Sequence, residues 1–167
     1  MGRTAVVQRL ADAGLVAVLR GVPGDALPVV VDALVAGGVA AVELTADTPG
    51  VVESLTAVSA DPRVTVGVGT VREPAAVGEL VDAGAAFVVS PVCDPGVVAA
   101  AHTEGVPAAA GCLTPTEVHA AMDADADIIK IFPASVASPA LLAGLRATLD
   151  PPPLMPTGGI SPTTVGD

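Results

Sequence analysis

Asp127-Ile128-Ile129-Lys130-Ile131-Phe132-Pro133-Ala134-Ser135 is the stretch on which the reading of this chain turns. Lys130 is the sole lysine among the 167 residues, and it stands inside the apolar run Ile128 to Phe132. Soluble proteins ordinarily scatter lysines over their surface, where the ammonium stays hydrated. Here the single ammonium falls where a buried strand is expected. Period-two alternation puts Lys130 on one face of that strand and Ile129 and Ile131 on the other. Among apolar neighbours the charged form is penalised, so the pKa falls and more free amine exists near neutrality. A free amine can add to a carbonyl and form a Schiff base. A lysine that snorkels to a rim, or pairs with an acid for structural reasons, fits the same residues. The pattern alone leaves both readings open.

On either side the chain repeats this texture. Short apolar runs occur at Leu15–Leu19, Val39–Leu44, Val64–Val68, Ala86–Val89, Val106–Ala110, Ile128–Phe132 and Pro153–Pro156, the last weakened by its prolines. A helical pattern follows each: from Gly24 to Gly37, from Pro49 to about Ala60, from Glu73 to Ala83, and from Pro95 to about Gly105. Thr114-Pro115-Thr116-Glu117 then reads as an N-cap, a proline at the first helical position and an acid in the first turn. Ser138-Pro139 opens the next helix, which ends near Leu149, and Ser161-Pro162 starts one more. Apolar runs separated by one helix each are the mark of βα units and a parallel sheet.

Seven such units running one way predict a (β/α)8 TIM-type barrel better than a doubly wound sheet. Arg20-Gly21-Val22-Pro23-Gly24 after the first run lacks dinucleotide-binding glycine spacing. In a barrel, reactive residues come from the carboxyl ends of strands and the loops after them. That rule selects Arg20, Glu43, Gly69-Thr70, Ser90-Pro91, Gly111-Cys112, Lys130 and Thr157-Gly158-Gly159. No residues remain to supply an eighth strand.

Composition narrows the function. Apolar residues make up 51% of the chain, enough at this length to bury a real core in one domain. The formal charge of −11 argues against nucleic acid and anionic membrane surfaces as partners. No basic-then-apolar leader or membrane-length run is present, so a cytoplasmic enzyme or binding protein is expected. Cys93 and Cys112 are too few for a disulfide framework, and no cysteine or histidine cluster suggests a metal. Cys112 has no basic partner in the pattern that would make it a nucleophile. His102 and His119 read as ordinary helix or surface residues. Asp123, Asp125 and Asp127 read as solvated turn charges, because a calcium loop's glycine and last acid are missing.

Eight segments carry a resemblance. They are Val16–Gly21, Ala36–Val39 with Val42–Thr45, Val66–Val71, Asp82–Ala85, Val89–Pro91, Gly111–Glu117, Ile129–Ala134 and Pro156–Ser161. In this order they resemble the bacterial 2-keto-3-deoxy-6-phosphogluconate aldolases, which also act on 4-hydroxy-2-oxoglutarate and include 6-phosphogalactonate relatives. The resemblance covers nearly the whole chain from residue 14 onward. It implies a class I aldolase, trimeric, that uses no metal and no cofactor. Lys130 is then the Schiff-base lysine, condensing with the C2 ketone of a 2-keto acid, and Glu43 the general acid and base. A carboxyl in an apolar barrel mouth has its pKa raised toward the range that role needs. A Glu43 that merely pairs with Lys130 or Arg20 is the alternative.

The same resemblance implies substrate contacts at Arg20, Thr70, Pro91, Phe132, Thr157, Gly158 and Gly159. Thr157-Gly158-Gly159 ends strand seven just before an expected helix, where free amides suit a phosphate. Tight turns would require those glycines in any case. Arg20 can hold a carboxylate or a sugar-acid oxygen bidentately. Two departures stand out. Where many family members carry a carboxylate-binding arginine, this chain has Asp47, a repelling charge unless Arg20 takes over; galactonate-type relatives also lack that arginine. The family also continues for roughly one more strand and two helices. Residues 1–167 are therefore expected to form one barrel domain, C-terminally incomplete relative to the family and missing the eighth βα unit, with open edges on strands one and seven. A partner subunit filling that gap is a second reading. A catalytically inactive barrel that keeps a pyruvate- and phosphate-binding mouth is the competing function, and a phosphate-binding barrel isomerase a weaker third.

Overall fold

The computed structural model describes residues 2–165. Seven parallel strands pair in sequence order: β1 (Ala17–Leu19), β2 (Ala41–Thr45), β3 (Thr65–Gly69), β4 (Val88–Val89), β5 (Ala108–Cys112), β6 (Ile128–Ile131) and β7 (Leu154–Pro156). Between them run α2 (Leu27–Ala36), α3 (Val51–Ser59), α4 (Val77–Asp82), α5 (Pro95–Thr103), α6 (Pro115–Asp123) and α7 (Pro139–Leu149), with α1 (Arg3–Ala13) ahead of β1. The expected α/β architecture of successive βα units is what forms, and the sheet curls into a half-barrel.

Local chemistry accounts for the helix starts. Thr114 accepts the Glu117 amide, and the Glu117 carboxylate accepts the amides of Thr114 and Leu113, so α6 carries a complete capping box. Asp94 and Ser138 cap α5 and α7 by their side chains alone, without the reciprocal acid. Each such cap is worth about 1 kcal/mol. Two elements depart from the sequence reading. α4 is entered through a 3₁₀ turn, Pro74–Ala76, instead of starting at Glu73. α1 falls in a stretch to which the reading assigned nothing.

α1 matters because it closes the interior. Side chains that face the helices form one apolar layer, which includes Val42, Leu44, Val66, Val68, Ile129 and Ile131. The opposite faces of the strands meet inside the curl, where Ala41, Phe87, Val89, Ala109 and Ile128 pack against Val6 and Leu10 of α1. Val6 and Leu10 are 3% and 5% exposed, and full burial of such side chains stabilises by about 1.5–3 kcal/mol each. Ala41, Phe87 and Ile128 lie where their strands begin, so α1 plugs that end. The carboxyl ends of the strands are left for the site.

The outermost strands differ from the rest. β2, β3, β5 and β6 are buried throughout, whereas Val18 of β1 is 43% exposed and β7 is only partly covered. An open groove of about 960 Å3 runs along this side, lined among others by Leu15, Val18, Glu43, Met155 and Gly158. Pro156 sits on β7, which pairs only with β6 among the described residues. Proline is tolerated on such an edge because its missing donor leaves no gap in a ladder. Among the described residues no helix is long and apolar enough to cross a membrane.

Candidate active site

The pleat brings Lys130 and Glu43 to the same interior. Ile128 and Ala41 belong to the inner layer, and residues two further along a strand share its face. Lys130 on β6 and Glu43 on β2 therefore both point inward, one level nearer the carboxyl ends. They are 5% and 2% exposed. The alternation read from the sequence holds, since Ile129 and Ile131 face the helices.

Burial acts on the two groups in opposite directions. It pushes the Glu43 carboxyl above the ordinary glutamate range, while the charges of Lys130 and Arg20 pull it back. It pulls the Lys130 amine below the ordinary lysine range; Glu43 opposes this and Arg20 adds to it. The charges feel each other with no direct ion pair between them.

Two sets of side chains flank this pair. On the β6–β7 side, the Phe132 ring lies 5.0 Å from Lys130 Nζ, and Gly158 packs against that ring. The loops after the two strands are tied together. The Ala134 and Ser135 amides donate to the Thr157 and Gly158 carbonyls at 2.8 and 2.9 Å. Thr157 gives its amide to Ile131 and its hydroxyl to Met155, whereas the Gly158 and Gly159 amides meet no acceptor among the described residues. On β5, Gly111 is the register neighbour of Lys130, and a Cβ there would lie 2.2 Å from the Pro91 carbonyl. Pro91 thus folds over bare backbone beside the lysine.

The β1–β3 side carries Arg20, which forms an ion pair with Asp47 and donates to Thr70 Oγ1 at 2.9 Å. Thr70 holds a φ of 60°, a left-handed conformation uncommon outside glycine. Arg20 does not contact Glu43 or Lys130, although its charge acts on both. The nine residues that the resemblance named for the site thus fall in two groups, on either side of Glu43 and Lys130.

Some expectations do not survive. The helix expected from Ser161-Pro162 is, among the described residues, a turn closed by the Thr164 and Val165 amides on the Ser161 carbonyl; Gly166 and Asp167 lie outside the described residues. Asp127 is no solvated turn charge. Its Oδ2 accepts the Ala108 amide at 2.9 Å and lies 2.8 Å from Nε2 of His102, a half-buried residue of α5, in keeping with the helix reading of that histidine. Asp125, at 83% side-chain exposure, is solvated as expected. Cys112 is inert: burial first, then Cys93 and Glu117, push its thiol up to about 12. Among the described residues no group of three or more His, Cys, Asp or Glu side chains is placed to hold a metal ion.

Gly69, selected from the sequence only as a strand-end position, matters for the room it leaves. A Cβ there would collide with the Glu43 carboxyl. The signal was the Gly67-Val68-Gly69 alternation within a strand, where glycines mark close approach by another group.

Comparison with known proteins agrees with this geometry. A family model described as KDPG and KHG aldolase matches residues 6–167. A Rhizobium meliloti (strain 1021) protein named "Probable 2-dehydro-3-deoxy-6-phosphogalactonate aldolase" is 37% identical over 156 residues, covering 92% of this chain and 74% of the relative. The 2-keto-3-deoxy-6-phosphogluconate aldolase of Zymomonas mobilis ZM4, solved with 3-phosphoglycerate, superposes with a TM-score of 0.87 at 28% identity, over 96% of this chain and 77% of that one. A Legionella pneumophila KDPG aldolase, solved with pyruvate captured as a covalent carbinolamine intermediate, matches with a TM-score of 0.83 at 25% identity, over 90% and 74%.

Proposed function

The chain belongs to the KDPG and KHG aldolase family, and from that premise we propose that it is a class I aldolase that cleaves a 2-keto-3-deoxy-6-phospho sugar acid to pyruvate and an aldehyde. The observation that carries the reading is a buried lysine with a depressed pKa sharing the curl's interior with a buried glutamate whose pKa is raised.

In this mechanism neutral Lys130 Nζ adds to the C2 ketone, and protonated Glu43 gives its proton to the departing carbinolamine hydroxyl, so water leaves and a protonated imine forms. Glu43, as carboxylate, takes the C4 hydroxyl proton. The C3–C4 bond breaks, and its electron pair flows toward the imine nitrogen to leave an enamine. C4 departs as the aldehyde. Glu43 returns its proton to C3, and water hydrolyses the resulting imine to free pyruvate and the amine. One group must both take and give a proton near neutrality, which a carboxyl with a raised pKa can do. The carbinolamine held by the Legionella relative supports the first step.

Around this centre, Thr70, Pro91 and Phe132 contact the keto-acid portion, and Arg20 faces the sugar-acid oxygens on the C4 side. The Gly158 and Gly159 amides, beside Thr157, receive the phosphate. We read the seven-stranded half-barrel as seven of the eight units of a (β/α)8 barrel, and the enzyme as a cytoplasmic homotrimer. 4-Hydroxy-2-oxoglutarate is a second, less favoured substrate of the same chemistry.

Pyruvate with borohydride tests the assignment. Reduction of the imine should add a stable mass at Lys130 of the wild type and none to Lys130→Ala. A wild type that stays unmodified would instead favour an inactive barrel that only binds.

A further inference from the structure

We propose that Asp47 sets the specificity of the mouth, its carboxylate on Arg20 discriminating against substrates that carry a second carboxylate next to the bond being cleaved. This inference rests on the aldolase reading above and adds to it which substrates are turned away.

Both side chains of the pair are more than half exposed, but the turn that carries Asp47 is tied to its neighbours. Asp47 lies in the turn after β2, and the Arg20 guanidinium gives one N–H to it and another to Thr70, which follows β3. The Thr48 amide closes that turn on the Thr45 carbonyl at 2.9 Å, and the two threonine hydroxyls lie 2.9 Å apart. Thr48 Oγ1 also accepts the Gly21 amide at 3.0 Å, which fastens the turn to the residue after Arg20. Three strand ends are thereby locked around one guanidinium. Asp47 is ionised at neutral pH, because the Thr45 hydroxyl and the Arg20 charge hold its carboxyl below the usual range.

The consequence is electrostatic. The Arg20 charge reaches both Glu43 and Lys130. With Asp47 attached, this rim presents close to zero net charge instead of a free cation. A guanidinium has five N–H donors, so three remain for a ligand. A hydroxyl can take them without penalty and can donate back to Asp47. A carboxylate that takes them meets the negative charge of Asp47 at close range.

Two substrates of one reaction separate the cases. A phosphorylated sugar acid carries hydroxyls beyond C4, and its phosphate is remote, on the β7 side at Gly158-Gly159. 4-Hydroxy-2-oxoglutarate puts its second carboxylate directly on C4. Both share the C1 carboxylate, so any repulsion there cancels in the ratio of their kcat/KM values.

The test measures that ratio for wild type, Asp47→Asn and Asp47→Ala. Asn keeps an oxygen for Arg20 but removes the charge. It should raise the relative kcat/KM of the dicarboxylate about fivefold, which corresponds to about 1 kcal/mol of repulsion between unit charges about 4 Å apart in water. Asp47→Ala should shift it the same way. An unchanged ratio in Asp47→Asn, or a shift confined to Asp47→Ala, would overturn the proposal, the latter because it points to loosening of Arg20. Pyruvate–borohydride trapping is run on the same samples. A wild type that fails to trap overturns the aldolase reading and this inference together. Normal trapping with an unchanged ratio overturns this inference alone.

Discussion

A Cβ on Gly69 would lie 1.6 Å from Oε1 of Glu43 and 2.2 Å from its carboxyl carbon. The glutamate's carboxyl therefore occupies the space that any side chain at position 69 would need. Gly69→Ala should drive Glu43 out of its rotamer and lower kcat by about 10²-fold or more, the range for a displaced general acid or base. Overpacking should cost about 1–3 kcal/mol of stability. Gly67→Ala is the control, since a Cβ there would strike the Phe87 ring at 2.4 Å. It should lower the melting temperature comparably without so large a loss in kcat of the folded enzyme.

Lys130→Met should reduce turnover to background and abolish the pyruvate adduct. Its stability in urea should equal or exceed that of wild type, because an apolar side chain of similar volume replaces a buried amine. A large loss of stability would mean that the amine is structural.

The pH dependence has a definite sign. Burial depresses the Lys130 pKa, with Glu43 opposing and Arg20 assisting. The rate of pyruvate trapping with cyanoborohydride should therefore level off below 10.5, the ordinary lysine value. Glu43→Gln removes the opposing charge and should move that inflection to lower pH still. Between the folded pKa of Lys130 and 10.5 the unfolded chain binds more protons, so stability rises with pH across that window. Urea titrations should show Lys130→Met losing its stability advantage over wild type as pH climbs through it.

Gly159 has a φ of +86°, and a Cβ on it would sit 2.6 Å from the Ser135 Cβ. Gly159→Ala should strain this turn by about 1–2 kcal/mol. KM for a phosphorylated substrate should rise about tenfold on that estimate, while trapping of pyruvate, which has no phosphate, proceeds at the wild-type rate.

The opposite end of the sheet should affect stability alone. Asp127→Ala leaves the buried Ala108 amide and His102 without their acceptor and should cost about 1–3 kcal/mol. Trapping kinetics of the folded fraction should not change.

Much of this was legible beforehand for a physical reason. Strands buried on both faces read as nearly continuous apolar runs, so β2 to β6 stand out in one dimension. Lys130 stood out because a charge in such a run is costly, and Glu43 because it ends another. α1 escaped notice because its apolar face is only Val6, Val7 and Leu10, and what buries them comes from β-strands distant in the chain. Arg20 was legible as a strand-end cation. Its pairing with Asp47 and Thr70 joins residues 27 and 50 positions away across three loops, a proximity that only the curl of the sheet creates. His102 with Asp127 was hidden by the same kind of distance. Gly67 and Gly69 were visible but ambiguous, since a strand glycine does not announce which neighbour needs its room.

A chain with one lysine, and that one sheltered, has an unusual response to acylating reagents. Bulky active esters would find no accessible lysine among the described residues of the folded protein. A label that appears on Lys130 would then count unfolding events.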